Sequence, residues 1–316
     1  MKILNISNKD VYFYLALEEY LIKNSEEEYF ILWGSDDCVV CGKHQNIFEE
    51  INLQYITNNN IKLARRLSGG GTVFIDKGNL NFAFILNKTS GKQIDFIKHT
   101  KPIFKYLKSL NIDVKYSQRF DMFIDNMKFS GNAEHIYKNR VLHHGTLLFN
   151  SDLKKLEQSI KINNGYNSNA VKSVRKKVTN INSYTNNITF NDFKIGLYDF
   201  IKNYYNKHSE YLLKKETISN IELLANTKFS TQNWILNYSP KFTFSGSIKT
   251  KQTNITFKLY VENGIINNCN FVNNKEYEEL FLNKEYNIYS INNIIRTNNL
   301  DTIFKIDSNK LLYCFF

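Results

Sequence analysis

The chain has 316 residues, with 41 Lys and Arg against 30 Asp and Glu and a formal net charge of +11. That length can bury one large domain plus a small one, and the charge suits an acidic protein, nucleic acid or a membrane surface as partner. No uncharged run of about eighteen apolar residues spans a bilayer, the first residues lack a cationic stretch before an apolar core, and the four cysteines are too scattered for a disulfide framework. A soluble, cytoplasmic protein is expected, with no membrane partner. The lysines are dispersed among Asn and Ile, without an RRM, helix-turn-helix or zinc-finger pattern, so no nucleic-acid partner is expected. A basic nucleic-acid-binding protein stands as the alternative of another class.

Residues 11–23 carry Leu15, Leu17, Leu21 and Ile22 at helical spacing with Glu18 and Glu19 on the other side, which predicts an amphipathic helix. Residues 29–33 and 37–42 read as strands, and 43–46 as a polar loop containing His44. Cys38 and Cys41 form a C-x-x-C, but residues i and i+3 of a strand point to opposite faces, so a structural role is expected rather than a metal site or disulfide.

Residues 64–86 organise the rest. Arg65 and Arg66 stand before Ser68 and Gly69-Gly70-Gly71, and two β-rich runs follow at 72–75 and 80–86. Cationic side chains thus border a backbone that anions and flat groups can approach closely. Neither G-x-x-x-x-G-K-[ST] nor G-x-G-x-x-G before a helix is present, so phosphate binding at a helix N-terminus is not implied.

Residues 93–110, with Ile94, Ile97, Phe104 and Leu107, predict a second helix in which Pro102 starts the second half or introduces a kink. A strand is expected over 111–115. Lys128 lies in a strand-like run, facing opposite to Met127 and Phe129, and pointing inward it needs an anionic partner. His143 and His144 are adjacent on a strand over 141–150 and face opposite ways, which argues against a shared metal. Residues 172–181 form a basic loop, 191–206 a helix that closes the large domain, and 207–220 a polar candidate hinge. Ile255, Phe257, Leu259 and Val261 alternate before Asn263-Gly264, which predicts a hairpin.

The string R-R-L-S-G-G-G-T-V-F-I-D-K-G-N at 65–79 resembles the R-R-x-S-G-G-G-x-V-F-x-D-x-G-N of lipoate-protein ligases, enzymes that attach lipoic acid to a lysine of an acceptor domain. Ile75 stands where that family usually has His. Three further stretches keep the order. Arg119 to Ala133 resembles G-R-N-D-L…K-x-S-G-S-A, with Phe120 for Asn and Asn132 for Ser. H-H-G-T-L-L-F-N at 143–150 matches H-H-G-T-L-L-x-N, and 172–180 resembles K-S-V-R-S-R-V-T-N. Residues 38–46 are similar to x-V-V-x-G-x-x-Q-N, and 234–242 to W-x-x-G-x-x-P-x-F, with Asn237 for Gly.

The resemblance implies an α/β (α+β) fold: a large catalytic domain over 1–215 with a mixed sheet flanked by helices, related to biotin-protein ligases, and a small α+β accessory domain over 216–316. It implies a monomer that activates lipoate with ATP and Mg²⁺ to lipoyl-AMP. The lipoyl group then passes to a lysine of the glycine-cleavage H protein or of E2 subunits of 2-oxoacid dehydrogenases. The catalytic role falls to Lys128, between carboxylate and α-phosphate. ATP and adenylate binding fall to Arg66, Gly71, Thr72, Val73, Phe74, Asn79, Asp121, Lys128 and Ala133, and lipoate binding to Arg65, Ser68, Gly70, Gly71, Lys128 and His144. No metal ligand is assigned. The basic loop is a flap over the adenylate or a contact for the acceptor, and both readings stay open. The alternative on the same fold is an amidotransferase that moves pre-activated or carrier-bound lipoyl groups without ATP. Transferases with a covalent intermediate need a reactive cysteine near the substrate, and none lies near Lys128 or His144.

Overall fold

The computed structural model describes residues 1–6, 9–88, 95–117, 121–206, 209–250 and 254–316. Gln93, Ile94, Arg119, Phe120 and Lys207, used in the motif and helix readings above, lie outside the described residues. The chain groups into two compact units, one of Met1–Gly42, Lys62–Glu157 and Ser173–Ser230, the other of Lys43–Ile61, Gln158–Lys172 and Thr231–Phe316. Each is mixed α/β in composition, and among the described residues no helix is long and apolar enough to cross a membrane.

The strands of the first unit are β1 (Lys2–Asn5), β2 (Tyr29–Trp33), β3 (Cys38–Cys41), β4 (Lys62–Arg65), β5 (Val73–Ile75), β6 (Asn79–Asn87), β7 (Lys115–Tyr116), β8 (Met122–Ile124), β9 (Met127–Ser130), β10 (Asn132–Tyr137) and β11 (Arg140–Leu148). The main sheet runs β10-β11-β6-β2-β1 and ends on the strand Ser209–Tyr211. In it β10, β11, β6 and β2 run antiparallel each to its neighbour, whereas β1 pairs in parallel with β2 and with Ser209–Tyr211. Central β6 is buried from Asn79 to Ile85, which is why it reads as a near-continuous apolar run rather than an alternating one. Phe30, Phe82 and Phe84 pack with Ile103 and Leu107 of the helix Phe96–Ser109 and with Phe193, Leu197 and Ile201 of the helix Phe190–Tyr204.

The helix Val11–Asn24 lies against β6 and β11 and against the helical stretch Lys215–Phe229. Asp10 caps it by accepting from the Phe13 amide at 3.1 Å. Here the sequence expectation needs correction, because Glu18 and Glu19 are only 2% and 3% exposed. The helix is covered on both sides, so its acidic residues are paired internally: Glu19 with Lys23 at 2.5 Å and Lys228 at 2.6 Å, and Glu18 through Oε2 with His144, its Oε1 being buried without a partner among the described residues.

Three other expectations change. Residues 111–114 form no strand: Asn111 takes a positive φ of 60° after the helix, Ile112 and Val114 turn into the core, and pairing begins at Lys115. The helix Phe96–Ser109 runs through Pro102 as a single element. In its described part, the polar stretch read as a hinge forms the strand Ser209–Tyr211 and the start of the helix Lys215–Leu224.

Two small sheets complete the unit. In β4-β3-β5 the glycine-rich segment links β4 to β5, and in β7-β8-β9 Asp125 and Asn126, at φ 47° and 60°, make the tight turn between β8 and β9. Cys38 and Cys41 on β3 are buried thiols rather than a disulfide, and burial pushes Cys38 up to about 12.

The second unit has an antiparallel sheet of Tyr166–Ser168, Phe242–Lys249, Asn254–Glu262 and Ile265–Phe271. Ile255, Phe257, Leu259 and Val261 face its core, and Asn263 and Gly264 turn the hairpin at φ 54° and 77°. Phe48, Phe242, Tyr166, Tyr286 and Phe316 form an aromatic cluster, with the two tyrosine hydroxyls 2.8 Å apart.

Candidate active site

The glycine-rich loop is shaped from inside by Arg66. Its Nε donates to Ser68 Oγ at 3.0 Å, its Nη1 to the Val40 carbonyl at 3.2 Å, and its Nη2 to the carbonyls of Gly69 and Gly71 at 2.7 and 2.8 Å. Four of the five guanidinium N–H groups are thereby used on the protein. Burial pulls Arg66 down to about 10, which leaves it charged at neutral pH. Arg65 is wholly buried, with Nη1 on the Gly42 carbonyl at 3.1 Å. Both arginines brace the backbone rather than stand exposed beside it.

That bracing has a stereochemical consequence. In a trans peptide the C=O and the following N–H point in opposite directions. With the Gly69 and Gly71 carbonyls turned onto Arg66, the amides of Gly70 and Thr72 face away from it. The Thr72 amide indeed reaches outward, donating to Ser173 Oγ at 2.9 Å. Gly70 sits at φ 89°, and a Cβ there would stand 3.0 Å from Arg66 Nη2. A Cβ at Gly42 would collide with the Gly70 carbonyl, so two passes of backbone lie in direct contact.

Beyond the loop, Ala133 on β10 lies opposite His144 on β11, and the Ala133 methyl is 3.9 Å from where a Gly70 Cβ would be. His144 is held at both nitrogens, Nδ1 to Glu18 Oε2 at 2.7 Å and Nε2 to Ser68 Oγ at 2.6 Å. The arrangement is self-consistent if Nδ1–H donates to the carboxylate and Nε2 accepts from the serine hydroxyl, whose oxygen accepts from Arg66. A relay of Glu18, His144, Ser68 and Arg66 therefore backs the loop, and His144 has no ring nitrogen left over for a ligand in this state. Glu18 was missed from sequence; a carboxylate inside an otherwise apolar helical run was the available signal.

Lys128 on β9 carries a partly exposed amine. Its Nζ lies 3.0 Å from Asp121 Oδ1, with the side chain 26% exposed. This is the anionic partner that an inward lysine requires. The amine also lies over Gly131, whose Cβ position is 3.2 Å from Nζ, two residues before Ala133. The basic segment is anchored alongside: the Lys128 amide donates to the Lys177 carbonyl at 2.8 Å and the Thr179 amide to the Lys128 carbonyl at 3.0 Å. Val174, Arg175 and Lys176 between the Ser173 and Lys177 anchors are exposed.

The remaining residues divide. Gly71, Thr72 and Val73 are half-buried and accessible, whereas the Phe74 side chain is core, leaving only its backbone for a ligand. Ile75 is buried too, so the position where an imidazole was usual holds apolar packing. Asn79 is fully buried on β6; its Nδ2 donates to Asn81 at 2.9 Å and its Oδ1 has no partner among the described residues. The structure thus brings Lys128, Asp121, Gly70, Gly71, Thr72, Ala133 and Ser173 to one face, with Arg65, Arg66, Ser68 and His144 beneath them.

Residues 10–201 match the family model of the lipoyl protein ligase A/B catalytic domain. Lipoate-protein ligase 1 of Staphylococcus aureus is 38% identical over 258 residues, covering 80% of this chain and 78% of that one. LipL1 of P. falciparum, solved in complex with lipoate, shares the fold at a TM-score of 0.64 and 23% identity, covering 96% of this chain and 98% of that chain. A lipoate-protein ligase A solved with bound ATP gives 0.63 at 21% identity, covering 74% and 98%. Since the family match takes in the glycine-rich loop, Lys128 and His144 together, and the identity extends over most of both chains, this chain belongs to the lipoate-protein ligase family.

Proposed function

We propose that this ligase activates lipoate with ATP to lipoyl-AMP and then transfers the lipoyl group to a lysine of an acceptor domain. The observation that carries the reading is the partly exposed Lys128–Asp121 pair beside the outward-facing amides of the glycine-rich loop. In the first step a lipoate carboxylate oxygen attacks the α-phosphorus of ATP, and the bond to the bridging oxygen breaks to release pyrophosphate. Two anions must meet, so Lys128 acts between them, offsetting their repulsion and the charge on the α-phosphoryl oxygens in the transition state. Asp121 keeps the amine aimed there before the substrates arrive.

Loop amides of 70–74 receive the phosphates, and Arg66 serves by holding the carbonyls inward rather than by touching nucleotide. Because the Thr72 amide is held by Ser173, phosphate and the 173–181 segment compete for one donor, which couples movement of that segment to occupancy of the site. Mg²⁺ takes an oxygen shell, and the Asp121 carboxylate beside Lys128 is of the ligand type it takes; bound with ATP it would balance the charge of the departing pyrophosphate. In the second step a neutral acceptor lysine attacks the acyl carbon of the anhydride and AMP leaves. The acceptors proposed are the glycine-cleavage H protein and E2 lipoyl domains, whose approach a chain of charge +11 would assist if they are acidic. Catalysis is assigned to the first unit, which contains every residue named in these two steps.

Pyrophosphate release tests the reading. With ATP, Mg²⁺ and lipoate alone, a burst of about one equivalent is expected, becoming steady turnover once a lipoyl domain is added. Absence of release in both cases, together with lipoylation from supplied lipoyl-AMP, would make the protein a transferase and overturn the activation step.

A further inference from the structure

We propose that His99, Glu134 and His143 form a binding site for a divalent transition metal of the zinc class, on the opposite face of the β10–β11 ladder from the candidate active site. Glu134 and His143 are direct cross-strand partners, one residue on from Ala133 and one before His144, so their side chains project from the other side of the sheet. His99 reaches them from the helix Phe96–Ser109. One candidate ligand atom from each of the three lies within 4.8 Å of the others. Two imidazoles and a carboxylate are an established zinc ligand set that leaves a fourth position open.

The hydrogen bonding inside the cluster is lopsided. His99 Nδ1 and His143 Nδ1 both donate to Glu134 Oε1, at 2.9 and 2.8 Å. Glu134 Oε2 and His143 Nε2 are buried and have no hydrogen-bond partner among the described residues. An ionised carboxylate with one oxygen doubly used and the other orphaned is costly in a site this dry, where the Glu134 side chain is 1% exposed. A divalent cation would sit against the carboxylate and give its idle oxygen a positive neighbour.

The geometry needs little change to accept it. Ligand atoms around a tetrahedral zinc with bonds of about 2.0–2.1 Å stand about 3.3 Å apart, so the present contacts open by roughly half an ångström. In the metal form each Nδ1 lone pair faces the ion and each ring carries its proton on Nε2. Phe82 and Phe96 against the His143 ring keep the site apolar around its ligands. Such an ion would tie the helix Phe96–Ser109 to the two strands that carry Ala133 and His144. Its role is positional, because it acts through those strands.

The test uses the full chain stripped with chelator and titrated with Co²⁺ as the spectroscopic probe, followed by displacement with Zn²⁺. One equivalent of Co²⁺ with an intense visible d–d band, lost on adding Zn²⁺, and a metal-dependent rise in Tm are expected. His99→Gln and Glu134→Gln should each weaken binding roughly tenfold or more and remove the Tm rise. X-ray absorption of the zinc form, which needs no variant, should show nitrogen and oxygen ligands alone. Failure of the wild-type chain to bind, sulfur in the first coordination sphere, or binding unchanged in His99→Gln would overturn the site. None of these readouts depends on ligase activity.

Discussion

The sequence assigned Lys128 the catalytic role and His144 a contact with lipoate, and the structure separates them further by what their polar atoms touch. Lys128 keeps an accessible amine with one carboxylate beside it, whereas His144 is consumed by Glu18 and Ser68. Lys128→Ala should therefore lower pyrophosphate release by about 10²–10³-fold while leaving Tm close to wild type; normal release from that variant would remove the lysine from the chemistry. Glu18→Gln should instead act on stability. It weakens a buried charge-assisted hydrogen bond, and a denaturant titration should show a loss of about 1–3 kcal/mol. Arg66 belongs with His144, since its reach into the carbonyls of Gly69 and Gly71 could not be told from sequence, where a cationic side chain next to glycines reads equally well as a ligand contact.

Among the elements, those with strong local periodicity were legible. The central strand β6, the helix Phe190–Tyr204 and the hairpin turned at Asn263-Gly264 all lie where their patterns put them. Residues 111–114 were not, because buried Ile112 and Val114 alternate as a strand would, yet they follow a helix terminus and find their burial in a turn. The glycine-rich loop combines both cases. Its presence is plain in the string, but the direction of its amides depends on Arg66. Gly70→Ala places a side chain at φ 89° against Nη2, and about 1–3 kcal/mol of strain is expected, with weaker ATP binding by calorimetry. Ser173→Ala should free the Thr72 amide and lower KM for ATP, with little change in Tm; an unchanged KM would uncouple the segment from the nucleotide. On β3, the raised and buried Cys38 thiol should resist alkylation at pH 8 in the native state and react in urea.

For the whole molecule, the net charge of +11 bears on association rather than on fold. If acidic acceptor domains are steered to this surface, kcat/KM for the domain should fall several-fold as salt rises from about 0.05 to 0.2 M, with the adenylation step far less affected. Salt-independent transfer would confine the role of charge to solubility. At this scale the order of motifs along the chain was readable, and with it the family and the mixed α/β class. The grouping of Lys43–Ile61 and Gln158–Lys172 with Thr231–Phe316 was not, since neither segment differs in composition from its sequence neighbours. Residue types at short spacing made the glycine-rich loop legible in the chain, together with the lysine proposed to meet substrate and its need for an anion, but not which carboxylate supplies it. Only the tertiary structure decided that the arginines turn inward, that Glu18 occupies His144 from 126 positions away, and that His99 joins Glu134 and His143 behind the sheet. Those pairings join groups far apart in the chain, and no periodicity of a single segment encodes which distant polar atom will satisfy a buried one.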